Sequence, residues 1–217
     1  MSLSWADRAA ERSPRVQRSR SRSVEQARVI VDAALRLIAS GVEEFTTQEL
    51  IAEAGVALQT FYRYFAGKDE LLLAVLEDLI GRASDGFEER AQEITDPVAR
   101  LQSHLTSVVG TLAPSDEGRS GARFVASEHW RLAKLFPEEL AVATKPFTDL
   151  LATEIRAGSE AGLLRSQNPD RDAWLMAQLV LSVHHHYSFA ATVDSAIADD
   201  LCRFCLSAVG IETQSVD

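Results

Sequence analysis

Residues 59–65 read QTFYRYF, and two of the chain's three tyrosines fall within these seven positions. Gln59 offers an amide that can pair with an adenine edge, and Arg63 a guanidinium that fits the acceptor pair of guanine. The hydroxyls of Thr60 and Tyr62 are suited to phosphate oxygens. Interleaved with them are Phe61 and Phe65, which have no such chemistry. Whether the segment is core or contact surface depends on the helical phase of each residue.

At about 100° per residue, taking Phe61 as the reference, Ala57, Leu58, Tyr64 and Phe65 fall on its side of a helix. Gln59 and Arg63 point the opposite way, with Thr60 and Tyr62 on the flanks. The spacing therefore predicts an inward apolar face and an outward polar one.

The preceding stretch must hold such a helix in place. FTTQEL (45–50) puts Thr46 three residues before Glu49, a capping box, with Phe45 and Leu50 placed as a hydrophobic staple. A helix over about 47–53, a turn at Gly55 and a short helix over about 57–65 follow. A first helix is expected from Ser23 to Ala39, with Ile30, Ala34, Leu37 and Ile38 as its apolar stripe, ended by Gly41. Two helices joined by a glycine turn make a helix-turn-helix, whose second helix can enter the major groove.

Beyond AGKDEL, helices are expected over about 68–92, 96–112, 121–135, 138–160, 170–190 and 195–208, with Pro146 a kink in the fourth of these. Apolar residues recur at three and four throughout, and no segment reads as a strand. The expected fold is all-α: a basic, flexible arm over 1–22, an N-terminal three-helix helix-turn-helix domain over 23–67, and a larger helical domain over 68–217.

The 217 residues, 46% hydrophobic, suffice for an ordinary core. The longest uncharged apolar run, LLLAVL at 71–76, is too short to span a bilayer, and the N-terminus lacks the apolar segment of a secretory signal. A cytoplasmic protein that does not engage a membrane is expected. The net charge of −10 is unevenly spread. Residues 1–70 balance ten basic against ten acidic groups, and 71–217 carry twelve against twenty-two. Residues 8–28 contain seven arginines against Glu11 and Glu25. Such an arm, with Arg18, Arg20 and Arg22 nearest the domain, is either a solvated tail or a contact to a phosphate backbone or minor groove.

The run from Ala27 to Ala74 resembles the N-terminal DNA-binding domain of the TetR family of bacterial transcriptional regulators. The likeness is carried by the Thr-rich start of the second helix, IAEAGV at 51–56, TFYRYF at 60–65 and GKDELL at 67–72. It implies that Thr47 and Gln48 contact phosphate and sometimes a base, and that Gln59 and Thr60 meet base edges or backbone. It further implies that Tyr62, Tyr64 and Lys68 bind phosphate, while Phe61 and Phe65 pack inward. Ala57 and Gly67 stand where the family has Ser, so one hydroxyl cap is missing at each helix start, at a cost of about 1 kcal/mol for such a loss.

The resemblance also implies a homodimer whose last two helices pair across a two-fold axis, with Leu179, Val183, Leu201, Phe204 and Cys205 as the apolar seam. It implies a repressor released from a near-palindromic double-stranded operator when a small molecule, unidentified, binds the C-terminal domain. The alternative is an all-α small-molecule-binding protein or enzyme that has kept a vestigial DNA domain. Against an enzyme, no nucleophile, base and orienter stand at recognisable spacing.

VHHHYSF at 183–189 invites a metal, but successive histidines point about 100° apart on a helix, and no His-x-x-x-His or Glu-x-x-His spacing occurs. Neither metal nor cofactor is expected. The stretch is instead either a subunit contact or the wall of an apolar pocket in which His185 or Tyr187 donates a hydrogen bond, with Phe124, His129, Trp130, Phe147 and Trp174 as further candidate lining. Cys202 and Cys205 share a helix face, either as small buried residues or as a redox pair.

Overall fold

The computed structural model describes the backbone of residues 14–41, 44–112 and 116–210, and the side chains of 21–41, 44–112 and 120–210. Among the described residues there are nine helices and no strand: α1 Pro14–Ala39, α2 Thr47–Ala54, α3 Leu58–Tyr64, α4 Lys68–Ala91, α5 Pro97–Gly110, α6 Asp116–Leu135, α7 Pro137–Glu160, α8 Pro169–Phe189 and α9 Ile197–Ala208. The chain divides into two compact units, residues 1–37 with 44–71, and residues 38–43 with 72–217.

Part of the segment expected to be an arm, from Pro14 onward, is helical. α1 begins at Pro14, nine residues before Ser23. Proline suits a first helical position, because it lacks the N–H that would be unsatisfied there and its φ is already helical. The RSRSRS run continues the helix because arginine is a good helix former and serine a tolerable one. Residues 1–13, including Arg12, lie outside the described residues, as do the side chains of Arg15, Arg18 and Arg20. Arg22 is exposed on α1.

In the first unit, Ile30, Ala33 and Ala34 of α1 are buried, together with Leu50 of α2, Phe61 of α3 and Leu71 of α4. Both ends of α2 are closed as the sequence predicts. Thr46 Oγ1 accepts from the Glu49 N–H at 3.2 Å, and Glu49 accepts from the Thr46 N–H at 2.7 Å. These bonds hold the Glu49 carboxyl below its ordinary pKa, the backbone N–H of Thr46 being the largest cause. Phe45 and Leu50, the expected staple, are both buried. At the other end Gly55 adopts φ 65°, a left-handed conformation that glycine enters without strain, and its N–H and that of Val56 return to the carbonyls of Ala52 and Ile51. The Arg36 guanidinium meets Glu53 at 2.6 Å, linking α1 to α2.

In the second unit α7 packs on α8, α5 on α7, α6 on α8 and α9 on α5. Leu101, Leu105, Leu151, Ile155, Met176, Val180 and Leu201 form one continuous core. α7 continues through Pro146 as one helix from Pro137 to Glu160. Near α5 the core admits a charged group: Glu154, 4% exposed, accepts from Arg100 Nε at 2.9 Å, and the fully buried His104 places Nε2 3.8 Å from the same carboxylate. Burial lowers the His104 pKa, against the opposing pull of Glu154. No helix among the described residues is long and apolar enough to cross a membrane.

Candidate nucleic-acid interface and small-molecule cavity

α3 has the two faces the phase of its residues predicts, with one correction. Phe61 is fully buried and Phe65 nearly so, their rings 5.9 Å apart. Gln59 and Arg63 are exposed, Thr60 is half-buried, and Tyr62 is 56% exposed, its ring edge-on to Phe61 at 5.1 Å. Ala57 and Leu58, expected inward, are exposed. They begin a helix of seven residues, and side chains on a first turn lean toward the N-terminus, past the end of the helix.

Ala57 makes no side-chain cap, as its methyl group requires. At Gly67 there is no side chain to cap α4, and the bond given by its first turn runs the other way: Glu70 accepts from the Ala66 N–H at 2.5 Å, tying the preceding backbone to the helix. Lys68 is half-buried, with Nζ 4.9 Å from the centre of the Phe45 ring, a cation–π contact that restrains the ammonium at the start of α4. Thr47 is half-buried and Gln48 exposed at the start of α2.

One residue escaped the sequence reading. Gln26 of α1 accepts through Oε1 from Arg63 at 2.9 Å and from the Tyr64 hydroxyl at 2.7 Å. The Arg63 guanidinium also lies 4.9 Å over the Tyr64 ring. Nothing in a single sequence pairs position 26 with 63 and 64. The consequence is that Arg63 and Tyr64 are held in place, whereas Gln59 and Tyr62 make no side-chain hydrogen bond among the described residues.

The second unit encloses a cavity of about 320 Å³ between α4, α5, α6, α7 and α8. Of the expected lining, His129, Phe147 and Trp174 are there. Phe124, Trp130, His185 and Tyr187 are not: Phe124 is buried elsewhere in the core and Trp130 is half in solvent. Of the three successive histidines the one that lines the cavity is His184, one residue and about 100° of helix from the expected His185. Leu79, Ile80 and Phe87 of α4 add apolar wall, and among the described residues no Asp, Glu, Lys or Arg lines the space.

Burial, with a smaller effect from His185, lowers the His184 pKa to about 4, so the ring is neutral near pH 7. Thr111 Oγ1 lies 3.3 Å from His184 Nε2 and already donates its proton to the Val108 carbonyl at 2.6 Å. On the other side of the ring Ser188 Oγ lies 3.5 Å from Nδ1 and likewise donates its proton to a backbone carbonyl, that of His184 at 2.7 Å, so both flanking hydroxyls present acceptors to a ring that carries one N–H. His129 is also buried, and burial lowers its pKa. Among the described residues no group of three or more His, Cys, Asp and Glu could hold a metal ion.

Two seam residues are corrected. Leu201 and Cys205 are 4% and 1% exposed within the chain, packed in the core, because α9 turns that stripe toward α5. Leu179 and Val183 are half-buried against the same core, and Phe204 is 66% exposed. Burial pushes the thiols of Cys202 and Cys205 up to about 11, which leaves almost no thiolate for redox chemistry at neutral pH.

Residues 30–75 match the family model of bacterial regulatory proteins, tetR family. The HTH-type transcriptional regulator EthR of Mycolicibacterium smegmatis is 33% identical over 89 residues, 40% of this chain and 41% of that protein. The fatty acid metabolism regulator protein of Bacillus subtilis is 32% identical over 65 residues, 30% of this chain and 34% of that protein. The chain thus spans well under half the length of these curated relatives. Among solved structures, RolR in complex with resorcinol superposes with a TM-score of 0.67 at 16% identity, covering 88% of this chain and 91% of that one. Thermus thermophilus FadR in complex with lauroyl-CoA gives 0.66 at 20%, covering 88% and 98%. At such identities the likeness is one of fold, and it agrees with the match over the N-terminal helices. The match to the tetR family of bacterial regulatory proteins thus lies in the N-terminal helices, over residues 30–75.

Proposed function

We propose that the chain is a sequence-specific, ligand-responsive DNA-binding regulator that acts as a homodimer, most simply a repressor, and not an enzyme. The observation that carries the reading is the division of α3: Phe61 fully buried, with Gln59, Tyr62 and Arg63 exposed behind a capped α2. A helix fixed along one side can present the other to the major groove without losing its orientation. Gln59 and Arg63 would read base edges. Thr47, Gln48, Thr60, Tyr62, Tyr64 and Lys68 would fix the register on phosphates. Arg18, Arg20 and Arg22, now on the extension of α1, would add salt-dependent affinity.

A near-palindromic operator requires two recognition helices about 34–36 Å apart, and hence a dimer. Support for a dimer face comes from α8 and α9, where Leu175, Phe189 and Phe204 are exposed apolar side chains. The cavity is the effector site in this reading. RolR holds resorcinol and FadR an acyl-CoA, and a wall without a basic group suits an uncharged ligand of the first kind better than a phosphate-bearing one. An effector would release DNA only to the extent that it binds the non-binding conformation more tightly. A gel shift with the purified protein and its own upstream DNA tests the proposal. A retarded band that weakens as salt rises is expected. No band at low salt would contradict it.

A further inference from the structure

The polar groups of the cavity wall are committed in one direction. Ser84 Oγ donates to the Ile80 carbonyl at 2.8 Å, Thr111 Oγ1 to that of Val108 at 2.6 Å, Thr144 Oγ1 to that of Leu140 at 3.0 Å, and Thr148 Oγ1 to that of Thr144 at 3.4 Å. Each hydroxyl has a single proton, and a helical Ser or Thr that spends it on a backbone carbonyl one turn earlier keeps only lone pairs for anything else. Four hydroxyls lining one space on α4, α7 and the C-terminal end of α5 are therefore acceptors toward an occupant. A ligand that needed to accept from them would first have to break those bonds.

The remaining polar lining sharpens the selection. His184 Nε2 lies 3.3 Å from Thr111 Oγ1, and Gln178 adds an amide that can donate. His129 is 7% exposed and its Nδ1 is buried with no hydrogen-bond partner among the described residues. A buried polar atom left without a partner is a standing cost that a bound group can remove. With no charged side chain among the described residues of the wall, an ionised ligand would lose its hydration and gain no counter-charge from them.

We propose that the cavity selects an uncharged, largely apolar molecule that carries at least one hydrogen-bond donor, a phenol or an alcohol, over the corresponding ether or carboxylate. The selectivity is set by Thr111 at the C-terminal end of α5, Thr144 and Thr148 on α7 and Ser84 on α4, each presenting an acceptor among apolar neighbours. The inference rests on reading the cavity as the effector site, and it concerns the ligand alone.

Isothermal titration calorimetry on the full chain at neutral pH, without DNA, tests it with three probes of one ring size: 1-naphthol, 1-methoxynaphthalene and 1-naphthoate. 1-Naphthol is expected to bind about tenfold more tightly than the methyl ether, the worth of one good hydrogen bond, and 1-naphthoate to show no measurable heat of binding. At least one of Ser84→Ala, Thr111→Val, Thr144→Val and Thr148→Val should bring 1-naphthol down to the affinity of the ether while leaving the ether unchanged. Equal affinities for naphthol and ether, preference for the carboxylate, indifference to all four substitutions, or binding of none of the probes would each overturn the proposal. A chain that binds 1-naphthol as stated yet fails to shift its upstream DNA leaves this inference standing and removes the regulator reading instead.

Discussion

Phe61→Ala is expected to unfold the first unit near physiological temperature and abolish DNA binding, while Tyr62→Phe leaves the fold intact and weakens binding alone. Phe61 is fully buried, and removing a buried phenyl ring costs about 3–5 kcal/mol through lost transfer energy and the cavity left behind. A whole domain has only about 5–15 kcal/mol of stability, and the first unit is small. α3 cannot compensate locally. It has seven residues, no side-chain cap at Ala57, and two of its apolar residues, Leu58 and Tyr62, already largely in solvent. Tyr62→Phe removes one oxygen from an exposed ring and leaves the edge-on packing against Phe61 in place. Thermal melts followed by circular dichroism, alongside gel shifts, separate the two effects. A Phe61→Ala protein that melts with the parent would mean that α3 is not anchored as described.

The second large effect is a loss of stability in acid, centred on His184. Its pKa falls from 6.5 in the unfolded chain to about 4 in the folded one, because burial between α6 and α8 penalises the charged ring. The unfolded state therefore binds a proton first as pH drops. The stabilisation is fully present above pH 6.5 and is lost progressively down to about 4. A shift of that size corresponds to about 3 kcal/mol at most, since each pKa unit is worth about 1.4 kcal/mol. His104 and His129 are shifted in the same direction, also by burial, and add to the slope. Urea denaturation across this range should show the fall, and His184→Gln should flatten it. A stability independent of pH between 6.5 and 4 in the parent would contradict a neutral, buried His184.

How much of this was legible in the sequence follows from how local each cause is. The capping box at Thr46 and Glu49, the turn at Gly55 and the two faces of α3 depend on residues within one or two turns, and they stand where the spacing put them except for Ala57 and Leu58, which the start of so short a helix leaves exposed. The start of α1 was misplaced because a run of arginine and serine looks like a solvated tail, yet neither residue breaks a helix that Pro14 can begin. The cavity was half legible. His129, Phe147 and Trp174 line it, but the choice between His184 and His185 turns on 100° of helical phase, which a run of three histidines does not fix. Leu201 and Cys205 were assigned to the seam because an apolar stripe says that a face is covered and not by what; here the chain's own α5 covers it. Gln26 with Arg63 and Tyr64, and Arg100 with Glu154 and His104, join positions 37 to 54 residues apart, and no local pattern announces them.

The central claim is that the outward face of α3 reads sequence. Gln59 tests it most directly, because it is exposed and has no packing role for a substitution to disturb. Fluorescence anisotropy should be measured for the parent and for Gln59→Ala on two duplexes, the protein's own upstream DNA and a scrambled duplex of the same composition. The account predicts that the parent prefers its own DNA, and that Gln59→Ala, with an unchanged melting temperature, loses about tenfold of that preference while keeping its affinity for the scrambled duplex. A parent that binds both duplexes equally, or a Gln59→Ala protein whose preference is intact, would contradict it.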